Sequence, residues 1–288
     1  MKAHLKIYLL TLIAMIAFAA NSLLCRWALK ETATDAVSFT ALRMLSGAIV
    51  LWIIYKSKNY LHSPSNQVTA NWFSAFVLFI YAITFSYAYT NLPTGTGALL
   101  LFAAVQLTMI IYAFWQGECL NIQQTLGLMA AAAGVIGLLL PHISAPHLTD
   151  SLLMLVAGIA WAIYSLRGKS ATDAICVNAG NFMLASVFAV FLALALIYKL
   201  RIDTTGFLLA VTSGAITSAF GYVIWYTVIK KLSITNAAVV QLSVPIIAAI
   251  AGAVFLNDAI TLRLVIASIA TLGGIGLVLV SRTSYSKK

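Results

Sequence analysis

The stretch Val239–Asp258, VVQLSVPIIAAIAGAVFLND, decides the fold class. It is almost wholly apolar, yet it contains Gln241 and Pro245 and it ends at an acid. A second stretch, Leu99–Glu118, LLLFAAVQLTMIIYAFWQGE, follows the same plan, with one glutamine in an apolar run and an acid at its end. Each is long enough to form a helix across the roughly 30 Å hydrocarbon core of a bilayer, which takes about 20 residues. The two stretches together predict a membrane protein with an internal repeat.

The composition also favours a bilayer as the solvent. Of 288 residues, 62% are hydrophobic and 8% are charged, whereas a soluble domain carries roughly 25% charged residues. The net charge of +10 comes from Lys and Arg in short loops, so we interpret it as an orientation signal and expect no nucleic-acid partner. Cys25, Cys119 and Cys176 are widely spaced, which indicates neither a disulfide framework nor a metal site.

Ten apolar runs are long enough to be membrane spans, separated by short turns. They lie near residues 7–25, 36–55, 72–89, 95–115, 122–140, 150–166, 176–198, 206–228, 235–256 and 260–281. The basic and apolar N-terminus imitates a signal peptide, but nine further spans favour its interpretation as the first membrane helix.

The loop charges predict the orientation of the chain. Eleven Lys and Arg residues lie on the side of the N-terminus, five lie on the opposite side, and Arg43 falls inside a span. The positive-inside rule therefore places both termini in the cytoplasm.

A shift of 140 positions aligns the two halves. Glu118 then falls on Asp258, and the pair Ala130 and Gly134 falls on Ala270 and Gly274. Five helices per half is an odd number, so the second copy must insert upside down, as in the inverted repeats of many carriers. We therefore expect an all-α integral membrane protein of ten transmembrane helices, with one five-helix repeat at residues 1–141 and an inverted one at residues 148–288. The small residues of the fifth and tenth helices fit either a dimer contact or packing within one chain.

The order of these features resembles the drug/metabolite transporter superfamily, in particular its EamA-type exporters, over nearly the whole chain. In the first half the similar segments are FAANSLLCRWAL (Phe18–Leu29), LRMLSGA (Leu42–Ala48), TNLPTGTGALLL (Thr90–Leu101), WQGE (Trp115–Glu118) and AAAAGVIGLLL (Ala130–Leu140). In the second half they are WAIYSLRGK (Trp161–Lys169), GYVIWYTVIKKLS (Gly221–Ser233), LSVPIIAAIAGAVFLND (Leu242–Asp258) and LGGIGLVLVS (Leu272–Ser281).

The chain departs from the family pattern at two places. The glycine–acid end of the fourth helix, Gly117–Glu118, becomes Asn257–Asp258 in the second half. The typical proline is present at Pro245, but the aligned residue of the first half is Val105. The resemblance implies an inner-membrane carrier that moves small organic metabolites outwards. It also implies a cavity lined by the first, third and fourth helices of each half, with the fifth and tenth helices packed outside.

Arg43 is the basic residue that lies well inside a predicted span. A guanidinium there needs a carboxylate, several carbonyls or water. Its planar fork suits the carboxylate of an anionic or zwitterionic substrate. The alternative is an arginine that packs or snorkels near a helix end.

The opening stretch suggests a bend beside a cavity. A proline at position 245 cannot donate a backbone hydrogen bond and crowds the carbonyl of Gln241, which predicts a kink near Gln241 and Ser243. A kink satisfied by a neighbouring helix is the alternative. Gln106 is the corresponding amide of the first half, and there an interhelical hydrogen bond is equally compatible.

Aromatic and polar residues recur at helical spacing in corresponding helices. Tyr81 and Thr84 share a face of the third helix, and Tyr222 and Trp225 share a face of the eighth. Such rings suit the wall of a cavity for an amphipathic solute, although interfacial anchoring is the alternative. Further candidates for the cavity wall are Asn21 in the first helix and Trp161 in the sixth.

Glu118 and Asp258 follow the fourth and ninth helices. Each is expected to cap the next helix, and a gate ion pair with Arg263 or Lys230 is the alternative. No acid lies at mid-membrane and all four histidines lie in loops or at the terminus, so we expect no proton relay through a buried carboxylate.

The function predicted from these residues is a secondary transporter that exports amino acids or related amphipathic metabolites across the inner membrane by alternating access. The expected partners are a small-molecule substrate and the lipid bilayer, with no cofactor or metal, and the chain is a monomer or a homodimer. A nucleotide-sugar or other anionic-metabolite exchanger is the alternative transporter. A membrane enzyme acting on lipid is a more remote alternative, because the sequence shows no catalytic acid, base or metal cluster at the interface. No Walker A, HExxH or GxSxG motif is present, so ATP-driven pumping and hydrolysis have no support.

Overall fold

The computed structural model describes residues 2–61, 70–115, 122–140, 146–169, 171, 173–232 and 240–285, and within them it contains helices and turns but no strand. The helices are α1 (Lys2–Glu31), α2 (Ala36–Leu61), α3 (Trp72–Tyr89), α4 (Thr94–Trp115), α5 (Ile122–Leu139), α6 (Leu148–Lys169), α7 (Ala174–Ala195), α8 (Thr204–Ile229), α9 (Ser243–Leu256) and α10 (Leu262–Tyr285).

Eight of these helices, α1 to α8, are long and apolar enough to cross a membrane, judged by length and composition over the described residues. Two further apolar helices, Ser243–Leu256 and Leu262–Leu277, are shorter. Many large apolar side chains are exposed on the outside of the bundle, among them Phe191, Val254 and Ile269. Such a surface needs lipid rather than water around it, so the chain is a multi-pass membrane protein.

Four helices begin at an Asp or Asn that accepts hydrogen bonds from free backbone N–H groups of the first turn. Asp35 caps α2, Asn71 caps α3, Asp173 caps α7 and Asp203 caps α8. Each cap satisfies donors that a helix start otherwise leaves without a partner. Short polar residues therefore set the ends of spans whose interiors are mainly apolar.

The two halves pack in a matched way. The main contacts between helices of different halves have counterparts. The contact of α3 with α6 corresponds to that of α8 with α1, the contact of α4 with α6 to that of α9 with α1, and the contact of α3 with α7 to that of α8 with α2. The remaining main pairs, α2 with α7, α4 with α9 and α5 with α10, each join a helix to its counterpart in the other half. The pattern is thus unchanged when every helix is exchanged with the one five places away.

The small residues of α5 and α10 bring these two helices together within one chain. A side-chain carbon added at Gly274 would meet backbone atoms of Gly127 and Ala131, and one added at Gly134 would meet Thr271. Small residues allow this close approach of two helices in a membrane. Of the two interpretations left open by the sequence, packing within the chain accounts for these glycines.

The helix α8 is not regular. Its middle, Ser213–Ser218, is a π-helical segment of sequence SGAITS between the α-helical parts Thr204–Thr212 and Ala219–Ile229. Gly214 lies so close to α2 that an added side-chain carbon would meet Ser46 and the backbone of Arg43. Single π turns inside α-helices are frequent at functional sites.

Candidate functional site

Arg43 lies at the centre of the bundle, where the two halves meet. Its guanidinium is fully buried and donates hydrogen bonds to the hydroxyls of Tyr222 (2.8 Å), Tyr81 (3.2 Å) and Ser218 (3.0 Å). Arg43 and Tyr81 belong to the first half, whereas Ser218 and Tyr222 belong to the second. The guanidinium carbon also lies 5.3 Å from the centre of the Phe85 ring, within cation–π distance.

No carboxylate of the described residues pairs with the charge of Arg43. The ion pairs that Lys30 forms with Glu31 and with Asp258 do not include it. The Nη1 atom of Arg43 is buried and makes no hydrogen bond there. A buried cation without an opposite charge costs several kcal/mol. Full burial also excludes the snorkelling interpretation of Arg43, because its head group does not reach the end of the helix.

Asn21 and the π segment of α8 form the polar neighbour of Arg43. The Asn21 side-chain oxygen accepts hydrogen bonds from Ser213 (2.6 Å) and Thr217 (3.2 Å), and its amide nitrogen lies 3.4 Å from the Tyr81 hydroxyl. Ser218 of the same segment accepts from Arg43, so the π segment forms hydrogen bonds with both Asn21 and Arg43. The hydroxyl-rich run SGAITS, inside an otherwise apolar span, was the sequence signal that could have identified these partners.

Aromatic rings surround the polar groups. The ring of Trp161 lies 4.7 Å from Tyr222, 5.2 Å from Tyr81 and 5.3 Å from Phe18, measured between ring centres. Trp225 lies 5.8 Å from Phe18 by the same measure. We call these residues the central cluster, and its members are Phe18, Asn21, Arg43, Tyr81, Phe85, Trp161, Ser213, Thr217, Ser218, Tyr222 and Trp225.

The structure thus brings together six residues that the sequence singled out, namely Asn21, Arg43, Tyr81, Trp161, Tyr222 and Trp225. Interfacial anchoring does not describe the four aromatic residues among them, since all four are buried. Sequence reasoning missed Phe18, Phe85 and, in the π segment, the hydroxyls of Ser213 and Thr217.

Other predicted cavity residues have local roles or lie elsewhere. The Thr84 hydroxyl donates to the Ile80 carbonyl one turn earlier (2.7 Å), and Ser243 donates to Val240 (2.7 Å). Gln106 and Gln241 are fully buried, in α4 and just before α9, two helices that pack against each other.

The helix that contains Pro245 is interrupted between Gln241 and Ser243, where we predicted a kink. The helical backbone is interrupted at Leu242 and resumes at Ser243, so the proline occupies the first turn of α9. A proline is tolerated there because its missing N–H would have no partner within the helix. Its side chain lines an apolar cavity of about 500 Å³ beside α10, together with Gly95 and Leu264.

A set of polar contacts closes the end of the bundle where α1 finishes, and we call it the far-side network (Arg26, Lys30, Thr94 and Asp258). The Asp258 carboxylate accepts from the backbone N–H (2.8 Å) and the hydroxyl (2.7 Å) of Thr94, and Lys30 lies 3.8 Å from its other oxygen. Lys30 also donates to the Leu256 carbonyl (2.9 Å). Arg26 donates to the carbonyls of Tyr89 and Thr90 at the end of α3.

This geometry corrects the predicted partners of Asp258. Asp258 caps α4 of the other half rather than the next helix. It forms an ion pair with Lys30 rather than with Arg263 or Lys230. Arg263 instead donates to the carbonyls of Gly137 (2.7 Å) and Leu140 at the end of α5. The corresponding prediction for Glu118 lies outside the described residues.

The departure from the glycine–acid pattern also has a structural explanation. Asn257 follows α9 with φ of 52°, in the left-handed region that glycine adopts freely and asparagine tolerates best among the other residues. The N–H of Asp258 then donates to Gly252 (3.1 Å). The turn thereby holds the carboxylate of Asp258 towards α4.

The opposite end of the bundle contains a polar cavity of about 260 Å³, which we call the near-side cavity. It is lined by Asn71, Ser74, Arg167, Gly168, Ala171, Val177, Asn181 and Tyr226. Arg167 donates to Ser74 across it (2.7 Å). Tyr226 donates to the Tyr164 carbonyl (2.9 Å), and the Tyr164 ring lies 6.4 Å from that of Tyr222. Two tyrosines thus separate this cavity from the central cluster.

Comparisons with known proteins agree with this arrangement. The chain is 48% identical, over 95% of its length and 94% of the relative's, to an uncharacterized protein of Pseudomonas aeruginosa. It is 26% identical, over 66% of its length and 67% of the relative's, to a protein of Escherichia coli named "Probable amino-acid metabolite efflux pump". A crystal structure of another protein superposes with a TM-score of 0.68 over 96% of this chain and 98% of that one, at 16% identity, which shows the fold alone.

The sequence model of a transporter family matches most of the chain. It matches twice, over residues 5–140 and again over residues 149–280, so that it accounts for both halves. The chain therefore belongs to the EamA-like transporter family.

Proposed function

We propose that this chain is a secondary transporter that exports amino acids or related small metabolites across the inner membrane by alternating access. The observation that carries the proposal is the central cluster. Arg43 of the first half is held by hydroxyls of Tyr222 and Ser218 from the second half. A polar site shared by two repeats at the middle of the membrane is the arrangement that carriers use to expose one site to either side.

The two ends of the bundle support an alternating mechanism. The far-side network joins α1, α4 and the turn after α9, and so closes the path on that side. The near-side cavity leads towards the central cluster but stops at Tyr164 and Tyr226. We assign this arrangement to a closed state that opens first on the near side.

The topology that we propose has ten spans in two inverted repeats, with the termini in the cytoplasm. The double family match and the matched packing of the two halves support the repeat. The bias of Lys and Arg towards the N-terminal side supports the orientation. In this orientation the near-side cavity faces the cytoplasm, as an exporter requires for loading.

The direction and the kind of substrate draw support from the name of the Escherichia coli relative, an efflux pump for amino-acid metabolites. The aromatic wall of the central cluster adds a physical reason, because tyrosine and tryptophan offer both apolar area and a polar tip to an amphipathic solute.

The experiment that tests the proposal is counterflow in proteoliposomes that contain the full chain. Vesicles loaded with an unlabelled solute should take up the same labelled solute faster than protein-free vesicles, for at least one member of a panel of amino acids and their derivatives. Arg43→Gln should abolish this uptake, whereas Lys199→Gln, which removes an exposed charge far from the cluster, should preserve it. Uptake of nucleotide sugars alone would contradict the proposed substrate, and no uptake of any solute would contradict the proposed function.

A further inference from the structure

The central cluster has more hydrogen-bond donors than acceptors. Three buried N–H groups around the same rings have no acceptor within the described residues: Nη1 of Arg43 and the indole nitrogens of Trp161 and Trp225. Neither arginine nor tryptophan can accept a hydrogen bond. A ligand that completes this site must therefore supply acceptor atoms.

The acceptors that the cluster contains already receive hydrogen bonds from the cluster's own donors. The hydroxyls of Tyr81, Tyr222 and Ser218 accept from Arg43, and the Asn21 oxygen accepts from Ser213 and Thr217. An ammonium group of a ligand would find no described carboxylate among these residues, and its charge would be repelled by the buried guanidinium of Arg43. The cluster favours a ligand without an ammonium group.

The charge of the site limits the charge of the ligand. One fully buried guanidinium carries one positive charge, and no described acid lies near it, because the described Asp and Glu residues all occupy loops or the terminal turns of helices. One negative charge on the ligand makes the loaded site neutral, whereas a dianion or a zwitterion leaves an excess charge in a low-dielectric interior. A carboxylate also matches the planar fork of arginine.

We infer that the transported species is an organic monocarboxylate anion with an apolar body, carried as the anion without a coupled ion. This inference rests on the proposed function and narrows the substrate class of its site from amino acids to related metabolites that lack an ammonium group. Each cycle then moves one negative charge, so the inside-negative membrane potential alone drives the solute outwards. The outward direction needs neither ATP nor a proton relay.

The test uses two probes that share a ring and a carboxylate. Phenylpyruvate is a monoanion, and phenylalanine is the same skeleton with an ammonium group. Proteoliposomes of the full chain receive valinomycin and an external K⁺ concentration ten times the internal one, which makes the interior positive. Phenylpyruvate should accumulate inside about tenfold above the external concentration, as a freely distributed monovalent anion does. Phenylalanine should show no protein-dependent uptake or counterflow, and protein-free vesicles should show no accumulation of either probe.

Substitutions at position 43 connect this result with the cluster. Arg43→Gln removes the charge and should abolish the accumulation. Arg43→Lys keeps the charge but loses the planar fork, so it should lower the initial rate about tenfold while the final ratio stays the same. If Arg43→Gln does not fold, Arg43→Lys still tests the role of Arg43, with the exposed Lys199→Gln as its control. An initial rate of phenylpyruvate uptake that equals that of the unchanged chain in both variants would overturn this role.

The outcomes separate this inference from the proposed function. Movement of phenylalanine but not phenylpyruvate, or phenylpyruvate uptake that ignores the K⁺ gradient, would overturn the inference and leave a transporter. Transport of other solutes of the panel, without transport of phenylpyruvate or phenylalanine, would also overturn the inference and leave a transporter. Absence of counterflow for every solute would instead remove the proposed function.

Discussion

Asp258 accepts two hydrogen bonds from Thr94, one from its backbone N–H at 2.8 Å and one from its hydroxyl at 2.7 Å. The two residues are 164 positions apart and belong to different halves of the chain. The acid that ends α9 thus serves as the N-terminal cap of α4. Since Lys30 of α1 reaches both this carboxylate and the Leu256 carbonyl, three helices are tied together on the far side.

Removing this cap should destabilise the far side. Asp258→Ala loses both acceptor contacts and the ion pair, and it should lower the free energy of unfolding by about 1 kcal/mol, as loss of a helix cap usually does. Asp258→Asn keeps an acceptor for Thr94 and loses only a long, partly exposed ion pair, so its effect should be much smaller. Chemical unfolding of the purified protein in detergent measures both values.

The far-side opening itself can be followed at Cys25, which is fully buried next to Arg26. In a chain with Cys119→Ser and Cys176→Ser, Asp258→Ala should increase the rate at which a thiol reagent modifies Cys25. Asp173→Ala, which removes the cap of α7 at the opposite end of the bundle, is the control and should not increase it. Equal rates for the two variants would show that Asp258 does not hold the far side closed.

The hydroxyl of Tyr222 should matter more than that of Tyr81. It accepts from the buried Arg43 at 2.8 Å, against 3.2 Å for Tyr81. Tyr222→Phe keeps the ring and removes the acceptor, and it should cost about 2 kcal/mol of unfolding free energy, the usual range for a hydrogen bond to a charged group. Tyr81→Phe should cost less.

The control for both changes is Tyr198→Phe, because that side chain is fully exposed. Its free energy of unfolding should match that of the unchanged chain. If Tyr222→Phe is as stable as this control, then the hydroxyls do not compensate the charge of Arg43.

The helices could be predicted from the sequence because hydropathy is a local property. The predicted span 72–89 coincides with Trp72–Tyr89, and the span 206–228 lies within Thr204–Ile229. The predicted span 235–256 was less accurate, because its helix is interrupted at Leu242 and the residues before position 240 lie outside the described part of the chain.

The partners of the polar residues could not be predicted, because they depend on how the two halves pack. Arg43 meets Tyr222 across 179 positions, and no periodicity within α2 indicates that contact. The π segment likewise arises where Gly214 packs against α2, which is a tertiary contact. Asp258 was identified as a cap from its position after a helix, but the helix that it caps comes from the other half.

The proposed topology can be tested by labelling single cysteines in a chain without native cysteines. Ser57 and Lys231 are exposed at the ends of α2 and α8, and Lys199 is exposed between α7 and α8. With ten inverted spans, an impermeant maleimide added to intact spheroplasts should label Lys199→Cys and should spare Ser57→Cys and Lys231→Cys. Permeabilised cells should show labelling of all three. Labelling of Ser57→Cys and Lys231→Cys on opposite faces would contradict the inverted repeat.

The contact between α5 and α10 should tolerate no side chain at Gly274. An added carbon there would meet the carbonyl of Gly127 and the N–H of Ala131, and backbone atoms cannot move aside as the end of a flexible side chain can. Gly274→Ala should therefore lower the unfolding free energy by about 1–3 kcal/mol, as overpacking does. Gly276→Ala is the matched control, because a carbon added at Gly276 has no neighbour within 4 Å and alanine also favours a helix. The packing lies within one chain, so both effects should be independent of protein concentration in detergent. A loss in Gly274→Ala that disappears on dilution, or equal stability of the two variants, would instead assign the glycine face to contacts between copies of the chain or to lipid.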